Sequence, residues 1–530
     1  MKFAFGCFLL GVSLLMPVGA ATAQTPAAQS KLGNLTIALA GSVSSLDPHF
    51  HNFGPNNTVA EHIFEKLTRF DADGALVSGL ATEWSMIEPN VWVFSLRQSV
   101  TFHDGLPFTA DDVVFSFTRA TQVPNSPGPF TAYLKGIDKV EAIDAHRVRL
   151  TLKAPNALLP FDLSTIFIVS RKAGEGATTD DYNSGKATVG TGPFRFASYE
   201  RGERVMLARH DGYWDTRPTW AAVTLRIIPK APSRVASLLA GDVDVIEAVS
   251  TKDAAGLAKD PAVTVAARPS TRLIYVALDQ ERDDSPFVDD GAGNRLAKNP
   301  LKDERVRRAL ALAIDRDAIR DRIMGGFAVP AAQLVPEGTA GHVAGLTPVY
   351  DLSAARALLA DAGYPNGFGM TLHGSNDRYA NDGEILQAVA AMWTKAGIKT
   401  KVEVMPFATM ATQVRSRAVS AYQVGFAAVT GHGAAQLRTL VMSYDAKQGQ
   451  GVLNYGRFSD AAIDADVDAA FQAADPAARA AAVERATKAA KAREVLIPIH
   501  FQVTVTAARA ELAVRARSDE YTLAQDLSPK

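Results

Sequence analysis

Hydrophobic and polar residues follow two periodicities at the start of the foldable chain. Leu35, Ile37 and Leu39 occupy every second position of LTIAL, which is the spacing of a half-buried β-strand. A Gly-Ser loop comes next. The apolar residues of NNTVAEHIFEKLTRFD then recur at helical spacing, and Asn57 or Thr58 is the expected N-cap of that helix. The chain is therefore predicted to open with a strand, a loop and a helix.

The same periodicities recur further along. Trp92, Phe94 and Leu96 alternate with polar residues in VWVFSLRQSV, which predicts another strand. The stretch ADDVVFSFTRA predicts a helix, because Thr109 can cap the amide of Asp112. In WAAVTLRIIPKAPSRVASLLAGDVDVIEAV the order is strand, helix, strand, as in an α/β unit. A mixed α/β protein is expected.

Helical patterns dominate after Leu301. KDERVRRALALAIDRDAIRDRIMGG predicts a helix that starts at Asp303, is interrupted and capped again near Asp315, and ends at Gly325-Gly326. No short internal repeat is present. The length of 530 residues then favours two to four domains.

The first twenty-odd residues have a different pattern. Lys2 precedes the apolar run FAFGCFLLGVSLLMPVGA, and small residues at Ala21 and Ala23 follow it. Residues 1–23 are therefore predicted to be a cleaved secretory signal, with a retained N-terminal helix as the alternative. The single cysteine, Cys7, lies inside this run, whereas a lipoprotein needs a cysteine at the start of its mature chain. The expected location is the periplasm, without a lipid anchor.

Composition excludes some functions. A formal net charge of −1 argues against nucleic acid as a partner, since nucleic acid requires a basic field. Hydrophobic content of 47% and charged content of 21% are those of an ordinary globular protein. A mature chain without cysteine forms no disulfide, so its stability must come from burial.

The motifs of common enzymes are missing. The sequence contains no Gly-x-Ser-x-Gly, His-Glu-x-x-His or Gly-x-x-x-x-Gly-Lys-Ser/Thr. In VGTGPFRFASY the glycines are followed by Pro193 and a strand pattern, so they are not a phosphate-binding loop. His49 and His51 are two residues apart without a third ligand nearby, which favours a loop feature over a metal site. No catalytic residue, resident metal or cofactor is predicted.

Four stretches together resemble one family. They are WVFSLRQSVTFHDGLPFTADDVVFSFTRA, VGTGPFRFASYERGERVMLARHDGYW, KDERVRRALALAID and LHGSNDRYANDGEILQAVAAMWTKAGI. In this order and spacing they resemble the family 5 extracellular solute-binding proteins, the dipeptide- and oligopeptide-type receptors of ABC transporters. The resemblance runs from about Leu35 to Val505.

The resemblance implies an α/β fold, a three-domain periplasmic-binding-protein clamshell of type II-like architecture with an inserted extra domain. Lobe I would comprise residues 32–64, 191–278 and 501–530, the inserted small domain residues 65–190, and lobe II residues 279–500. VGTGPF would return the chain to lobe I, with glycines that tolerate unusual backbone angles and Pro193 as a stiff exit. A ligand that touches both lobes would favour closure.

Members of the family close their pocket with three segments, and these give the candidate ligand-binding residues. The segments are the loop after the first strand, the stretch before the Met-Trp helix, and the stretch after AYQVGF. The candidates are Ser44, His51, Asn52, Arg378, Tyr379, Phe426, Thr430, His432, Arg438 and Tyr455.

Arg378 matches the arginine that holds a peptide carboxylate in dipeptide receptors of this family. The alternative is a surface arginine that pairs with Asp377 or Asp382. Tyr379, Phe426 and Tyr455 are expected either as aromatic walls of the pocket or as core residues.

The third segment departs from the family. Peptide receptors commonly carry a Trp-x-x-Asp-like run that holds the ligand ammonium, but here Phe426 takes the aromatic position and no acid lies between Gly425 and Arg438. Since His432 and Arg438 would make the field more positive, we expect a ligand that is neutral or anionic at that end. A modified peptide, an opine-like compound or a phosphorylated sugar conjugate would fit.

The function implied is that of a monomeric periplasmic receptor. It would capture a peptide or peptide-like polar solute and deliver it to an inner-membrane ABC permease, without bond chemistry. The alternatives are a non-peptide anionic solute, a metal or haem complex bound near His49 and His51, a receptor that reports to a sensor, and a periplasmic hydrolase.

Overall fold

The computed structural model describes residues 33–530, and the predicted signal peptide lies outside the described residues. Those residues form one compact unit. Their strands are β1 (Asn34–Leu39), β2 (Glu65–Lys66), β3 (Thr68–Phe70), β4 (Leu76–Ser78), β5 (Ala81–Glu88), β6 (Val91–Leu96), β7 (Ile137–Asp144), β8 (Arg147–Leu152), β9 (Phe167–Ile168), β10 (Phe194–Glu200), β11 (Arg204–Arg209), β12 (Ala222–Ile227), β13 (Val245–Ile246), β14 (Val263–Leu278), β15 (Val288–Asp289), β16 (Ala328–Pro330), β17 (Gly369–Ser375), β18 (Lys399–Met405), β19 (Ala421–Ala427), β20 (Ile497–Arg509), β21 (Leu512–Val514) and β22 (Leu527–Pro529).

The helices are spread along the whole described chain, and the three longest lie in its C-terminal half. They are α1 (Gly54–Ile63), α2 (Ala110–Ala120), α3 (Thr131–Leu134), α4 (Leu159–Leu163), α5 (Arg171–Gly174), α6 (Thr179–Asn183), α7 (Ala231–Leu239), α8 (Thr251–Leu257), α9 (Glu304–Leu312), α10 (Arg316–Arg322), α11 (Leu352–Asp361), α12 (Asp382–Ala396), α13 (Phe407–Arg415), α14 (Gly433–Leu440), α15 (Ala461–Gln472) and α16 (Pro476–Ala492). Within residues 33–530, none of them is long and apolar enough to cross a bilayer.

Several predicted helix starts are confirmed. The amide of Thr109 donates to Asp112 Oδ2 at 2.9 Å, in a capping box at the start of α2. Asp303 caps α9, and Asp315 caps α10 through the amide of Ala318. Short polar side chains before an apolar periodic run thus identified the first turns correctly.

The predicted N-cap of α1 was wrong. This helix begins at Gly54, with Phe53 as its N-cap residue and Pro55 in its first turn. Proline favours the first turn because its φ is already helical and the missing N–H would have no partner there. Asn57 and Thr58 therefore lie inside the helix, where both are buried.

A twelve-stranded mixed sheet organises the fold. Its strand order is β10-β11-β12-β1-β13-β20-β14-β19-β17-β15, with β16 beside β20 and β18 beside β17. The pairs of β1 with β12 and β13 are parallel, as are those of β17 with β18 and β19. A separate four-stranded antiparallel sheet, β5-β6-β8-β7, packs against α2. The predicted α/β class is confirmed.

Two long strands join the two halves of the large sheet. We call first half the strands β10, β11, β12, β1 and β13, and second half the strands β19, β17, β18, β15 and β16. β14 pairs with β20 on both sides of an irregularity between Pro269 and Leu273. Residues 270–272, here called the crossing segment, therefore lie where the chain passes from one half to the other.

Separate hydrophobic cores underlie these parts. One core joins β1, α1, β10, β11 and β12, and it also includes Phe167, Val169, Tyr182 and Ala187. Two others support the second half, one of them around the fully buried Trp393. The four-stranded sheet has its own core. The predicted domain boundaries remain a prediction.

The glycines of VGTGPF serve a purpose other than the predicted one. Neither Gly190 nor Gly192 has a positive φ. Instead, a Cβ atom on either would lie 2.0 or 2.7 Å from the carbonyl oxygen of Ile63. The expectation of unusual backbone angles was wrong, and close approach to the end of α1 is the physical reason for glycine. β10 begins directly afterwards, which agrees with the strand pattern of FRFASY.

Candidate functional site

The first loop, residues 40–53, connects β1 with α1 and is anchored by a buried ion pair. The Asp47 carboxylate accepts from both terminal nitrogens of Arg119 at 2.8 and 2.7 Å and from Thr179 Oγ1 at 2.9 Å. Burial opposes ionisation, but the hydrogen bonds and charge of Arg119 hold the pKa of Asp47 below its usual value. This loop is therefore fixed to α2 and α6 before any ligand binds.

The two histidines of this loop have different surroundings. His49 is fully buried, with Nε2 2.7 Å from the Phe167 carbonyl oxygen and Nδ1 3.1 Å from Arg119. Burial and Arg119 lower its pKa to about 4, so its ring is neutral and structural. His51 is half-buried, stacks on Phe53 and lies 3.3 Å from Ser44 Oγ. Within residues 33–530 no three His, Cys, Asp or Glu side chains form a metal-binding group.

Four polar side chains beside the first loop form a connected row, here called the polar row: Tyr133, Asn52, Asn57 and Tyr521. Asn52 Nδ2 donates to Tyr133 Oη at 3.2 Å. Asn57 Nδ2 donates to Asn52 Oδ1 at 2.8 Å and to Tyr521 Oη at 3.2 Å. Asn52 was predicted from sequence as a ligand-binding residue and Asn57 only as a helix cap, whereas Tyr133 and Tyr521 come from distant parts of the chain and were missed.

Ser44, the other predicted residue of the first loop, is exposed. Its Oγ accepts from Asn56 Nδ2 at 2.9 Å, and its amide donates to Asn56 Oδ1 at 3.0 Å. Ser44 and His51 thus contact each other, and Asn52 continues into the polar row.

In the second half of the sheet, Arg378 is exposed at the end of β17. Its guanidinium carbon lies 5.6 Å from the Tyr379 ring centre and 5.5 Å from that of Phe407. Neither acid expected as an alternative partner pairs with the Arg378 guanidinium, although the backbone amide of Arg378 donates to Asp382 at 3.3 Å. Asp382 accepts from Ser375 Oγ at 2.8 Å, and Asp377 accepts from the amide of Phe407 at 2.8 Å.

Tyr379 connects this segment to the end of β19. Its hydroxyl donates to the Gly425 carbonyl oxygen at 3.0 Å, and a Cβ atom at Gly425 would lie 2.7 Å from its ring. Burial raises the pKa of Tyr379. Phe426 and Tyr455 are half-buried and pack on one hydrophobic core, so each is a core residue with an accessible edge.

The second loop, residues 428–432, connects β19 with α14. Thr430 is buried, and His432 caps α14 by accepting from the amide of Ala434 at 3.1 Å on Nδ1. The His432 ring lies edge-on to Phe161, 5.0 Å between ring centres. Burial lowers the pKa of His432 to about 4, so it carries no charge at neutral pH. The predicted positive contribution of His432 is therefore absent.

Arg438 is occupied by contacts within the fold. Its guanidinium lies over the Phe471 ring at 4.6 Å and donates to the Gln448 carbonyl oxygen at 3.3 Å. Burial raises the pKa of Asp162 to about 7, although Asn156 and the charge of Arg438 oppose the shift. Arg438 thus faces α4 and its buried acid.

One ion pair at the crossing segment was not anticipated. Arg272 Nε and Nη2 donate to the Glu520 carboxylate at 3.0 and 2.6 Å, and Ser270 Oγ donates to it at 3.0 Å. Arg272 pairs with Ala427 between β14 and β19, so it lies next to the segment that carries Phe426. The two side chains are 20% and 31% exposed, so both are partly accessible to solvent.

Comparison with known proteins gives consistent results. The family model of bacterial extracellular solute-binding proteins, family 5, matches residues 75–448. A glutathione-binding protein, GsiB, of Pectobacterium atrosepticum is 28% identical over 440 residues, which is 81% of each chain. The structure of HbpA2 from Haemophilus parasuis has a TM-score of 0.80 at 25% identity, covering 94% of this chain and 100% of its own. DppA from Helicobacter pylori, in complex with the peptide STSA, has a TM-score of 0.74 at 22% identity, covering 94% and 98%.

Proposed function

This chain belongs to the family 5 bacterial extracellular solute-binding proteins, and we propose that it captures a peptide or peptide-like solute between the two halves of its sheet. Membership confirms the prediction of a solute-binding component of an ABC importer, which is not an enzyme. The clamshell class is likewise that of its structural neighbours. The peptide-like ligand is supported by relatives that bind glutathione and the peptide STSA.

The observation that carries this proposal is the state of Arg378. Its guanidinium is exposed and lies beside two aromatic rings, while the neighbouring acids in sequence, Asp377 and Asp382, accept from Phe407 and Ser375. A planar guanidinium in this situation is free to bind a carboxylate with two parallel hydrogen bonds. Tyr379 and Gly425 beside it supply an aromatic wall and backbone.

Closure of the two lobes would bring the polar row against the segment that carries Arg378. The polar row belongs to the part predicted as lobe I and the inserted domain, and Arg378 belongs to the part predicted as lobe II. A solute that contacts both favours the closed form by its differential contacts. One chain suffices for this movement, so a monomer that docks on a membrane permease from the periplasmic side is the proposed state.

A second candidate is an anionic solute without an ammonium group, such as an opine or a sugar phosphate. It is favoured by the absence of any acid between Gly425 and Arg438. An ammonium buried at that segment would have no counter-charge there.

A thermal-shift screen of the chain from Gln24 onwards separates these candidates. The panel contains glutathione, the peptide Ser-Thr-Ser-Ala, dipeptides, N-acetylated peptides, opines, sugar phosphates, and nickel and haem complexes. Binding to the folded form alone raises the melting temperature, because it stabilises that form by an amount that grows with the logarithm of ligand concentration over Kd. We expect shifts with peptide-like compounds. Shifts confined to opines, sugar phosphates or metal complexes would contradict the proposal.

A further inference from the structure

A free peptide brings a positive charge into the cleft, and the segment that usually receives it lacks an acid. In residues 425–437 the side chains are apolar, small or neutral, and His432 is uncharged. A buried ammonium needs a carboxylate or several carbonyl groups to offset its lost hydration. The acceptor must therefore come from another part of the chain if the solute has such a group.

Glu520 is an acid that the fold brings next to residues 425–437, because Arg272, which holds its carboxylate, pairs with Ala427. It lies 248 residues from Arg272 along the chain, yet its carboxylate is held by Arg272 and Ser270 at the crossing segment. Its backbone has φ of 70°, a left-handed conformation that is costly for a side chain with a Cβ atom. Such a conformation persists where surrounding structure over-determines it, which is frequent at ligand sites.

The carboxylate retains capacity for another donor. An ionised carboxylate offers about four acceptor positions, and the side chain of Glu520 is 31% exposed. Burial disfavours the charge on Arg272, but Glu520 outweighs it and raises the pKa of Arg272, so the pair stays ionic. Arg272 thus offsets the charge of Glu520 and fixes the direction of its carboxylate.

The neighbours of this pair are the residues of the candidate site. Tyr521, the next residue, is bound to Asn57 at the end of the polar row. On the other side, the charges of both Arg378 and Arg272 act on the Tyr379 hydroxyl and oppose the rise of its pKa. Arg272 pairs with Ala427, two residues from the Gly425 carbonyl that the Tyr379 hydroxyl binds, so the Arg272–Glu520 pair and Arg378 lie on either side of Tyr379.

We propose that Glu520, oriented by Arg272, accepts the ammonium group of a zwitterionic peptide-like solute whose carboxylate binds Arg378. This inference rests on the proposed function, and it narrows the solute class to compounds that carry a primary amine. It replaces the expectation from sequence of a ligand that is neutral or anionic at that end, because that expectation considered only the segment after β19.

The test compares free and N-acetylated forms of two probes, glutathione and Ser-Thr-Ser-Ala, by isothermal titration calorimetry. Wild-type protein should bind each free form at least ten-fold more tightly than its acetylated form. In E520Q this ratio should fall to about one, because the acceptor charge is lost. In E520D the ratio should lie between the values of wild type and E520Q. The ratio is measured within each protein, so a change in the folded fraction does not alter it.

E511Q is the matched control. Glu511 forms an ion pair with Arg509 at the C-terminal end of β20. Arg509 lies eight residues after Phe501, the residue of β20 that pairs with Leu273 beside the crossing segment. E511Q should retain the wild-type ratio. An unchanged ratio in E520Q, or equal wild-type affinity for free and acetylated probes, overturns this inference and leaves the proposed function standing. A wild-type protein that binds neither form of either probe overturns both.

Discussion

The first and second loops occupy equivalent positions, since each leads from a strand of the large sheet into a helix, but they are stabilised differently. The first loop is fixed by the buried Asp47–Arg119 ion pair and continues into the polar row. The second loop is five residues long and depends on a neutral histidine cap, a glycine and contacts with aromatic rings. Its charged neighbours, Arg378 and the Arg272–Glu520 pair, come from other segments.

This difference indicates a division of roles. On the proposed function, the first loop and the polar row present neutral hydrogen-bonding groups to the solute in a fixed arrangement. On the same proposal, the charges that select among solutes come from Arg378 after β17 and from the Arg272–Glu520 pair at the crossing segment. Pre-organised groups bind with little loss of entropy, whereas charge complementarity determines which solute is accepted.

The largest effect is expected from D47N in the first loop. It leaves the Arg119 guanidinium buried and without its counter-charge, and loss of one partner of a buried pair costs about 3–5 kcal/mol. We expect this decrease in the free energy of unfolding, measured with urea at pH 7. The exposed pair of Arg204 with Glu200 is the control, and E200Q should cost less than about 1 kcal/mol. A D47N protein as stable as E200Q would show that the pair does not anchor the loop.

In the second loop, H432N should change how stability depends on pH. The folded pKa of His432, about 4, lies below its unfolded value of 6.5, so its contribution is complete above pH 6.5 and is lost as the pH falls towards 4. Asparagine caps a helix as well as any residue and does not titrate. We expect similar stability at pH 7 and an advantage for H432N of about 2 kcal/mol at pH 4.5, measured by urea unfolding at both values. A parallel pH dependence in the two proteins would contradict the assignment.

The smallest effect on stability is expected from G431A, and it should be accompanied by weaker binding. Gly431 has φ of 59°, and a Cβ atom there would lie 2.5 Å from the Phe70 ring. Gly449 has φ of 71° with no atom within 4 Å of its Cβ position. Both alanine variants should lose about 1–2 kcal/mol of stability from the left-handed backbone, with G431A at the upper end because its Cβ must displace the Phe70 ring.

Only G431A should weaken the binding of glutathione, because it separates the second loop from Phe70 and thereby disfavours closure. Titration calorimetry on both variants measures this difference. Equal affinities in G431A and G449A would mean that contact between the second loop and Phe70 plays no part in closure.

Much of the fold could be predicted from local patterns. Alternation located β1, and the capping aspartates located the starts of α9 and α10, because these features depend on neighbouring residues alone. The start of α1 was misplaced, since Pro55 set the first turn and Asn57 turned its side chain to the polar row. The glycines 190 and 192 were recognised, but the Ile63 carbonyl that requires them is distant in sequence.

The candidate site was predictable only in part. Arg378 and Tyr379 were chosen from the resemblance. The sequence does not show, however, that other donors bind Asp377 and Asp382. His432 appeared as a source of positive charge because sequence does not show burial. Glu520 was missed because its partner Arg272 lies on β14, 248 residues away in sequence.

The most direct test of the account is a cycle that changes Arg378 and the solute carboxylate together. Calorimetry would measure the affinity of wild type, R378Q and R356Q for Ser-Thr-Ser-Ala with a free and with an amidated C-terminus. R356Q is the control, because Arg356 donates to the Lys395 carbonyl oxygen. A charged hydrogen bond contributes about 1.5–3 kcal/mol, so amidation should weaken binding about 10- to 100-fold in wild type and R356Q. In R378Q amidation should have little effect. An equal loss on amidation in all three proteins would contradict the assignment of the solute carboxylate to Arg378.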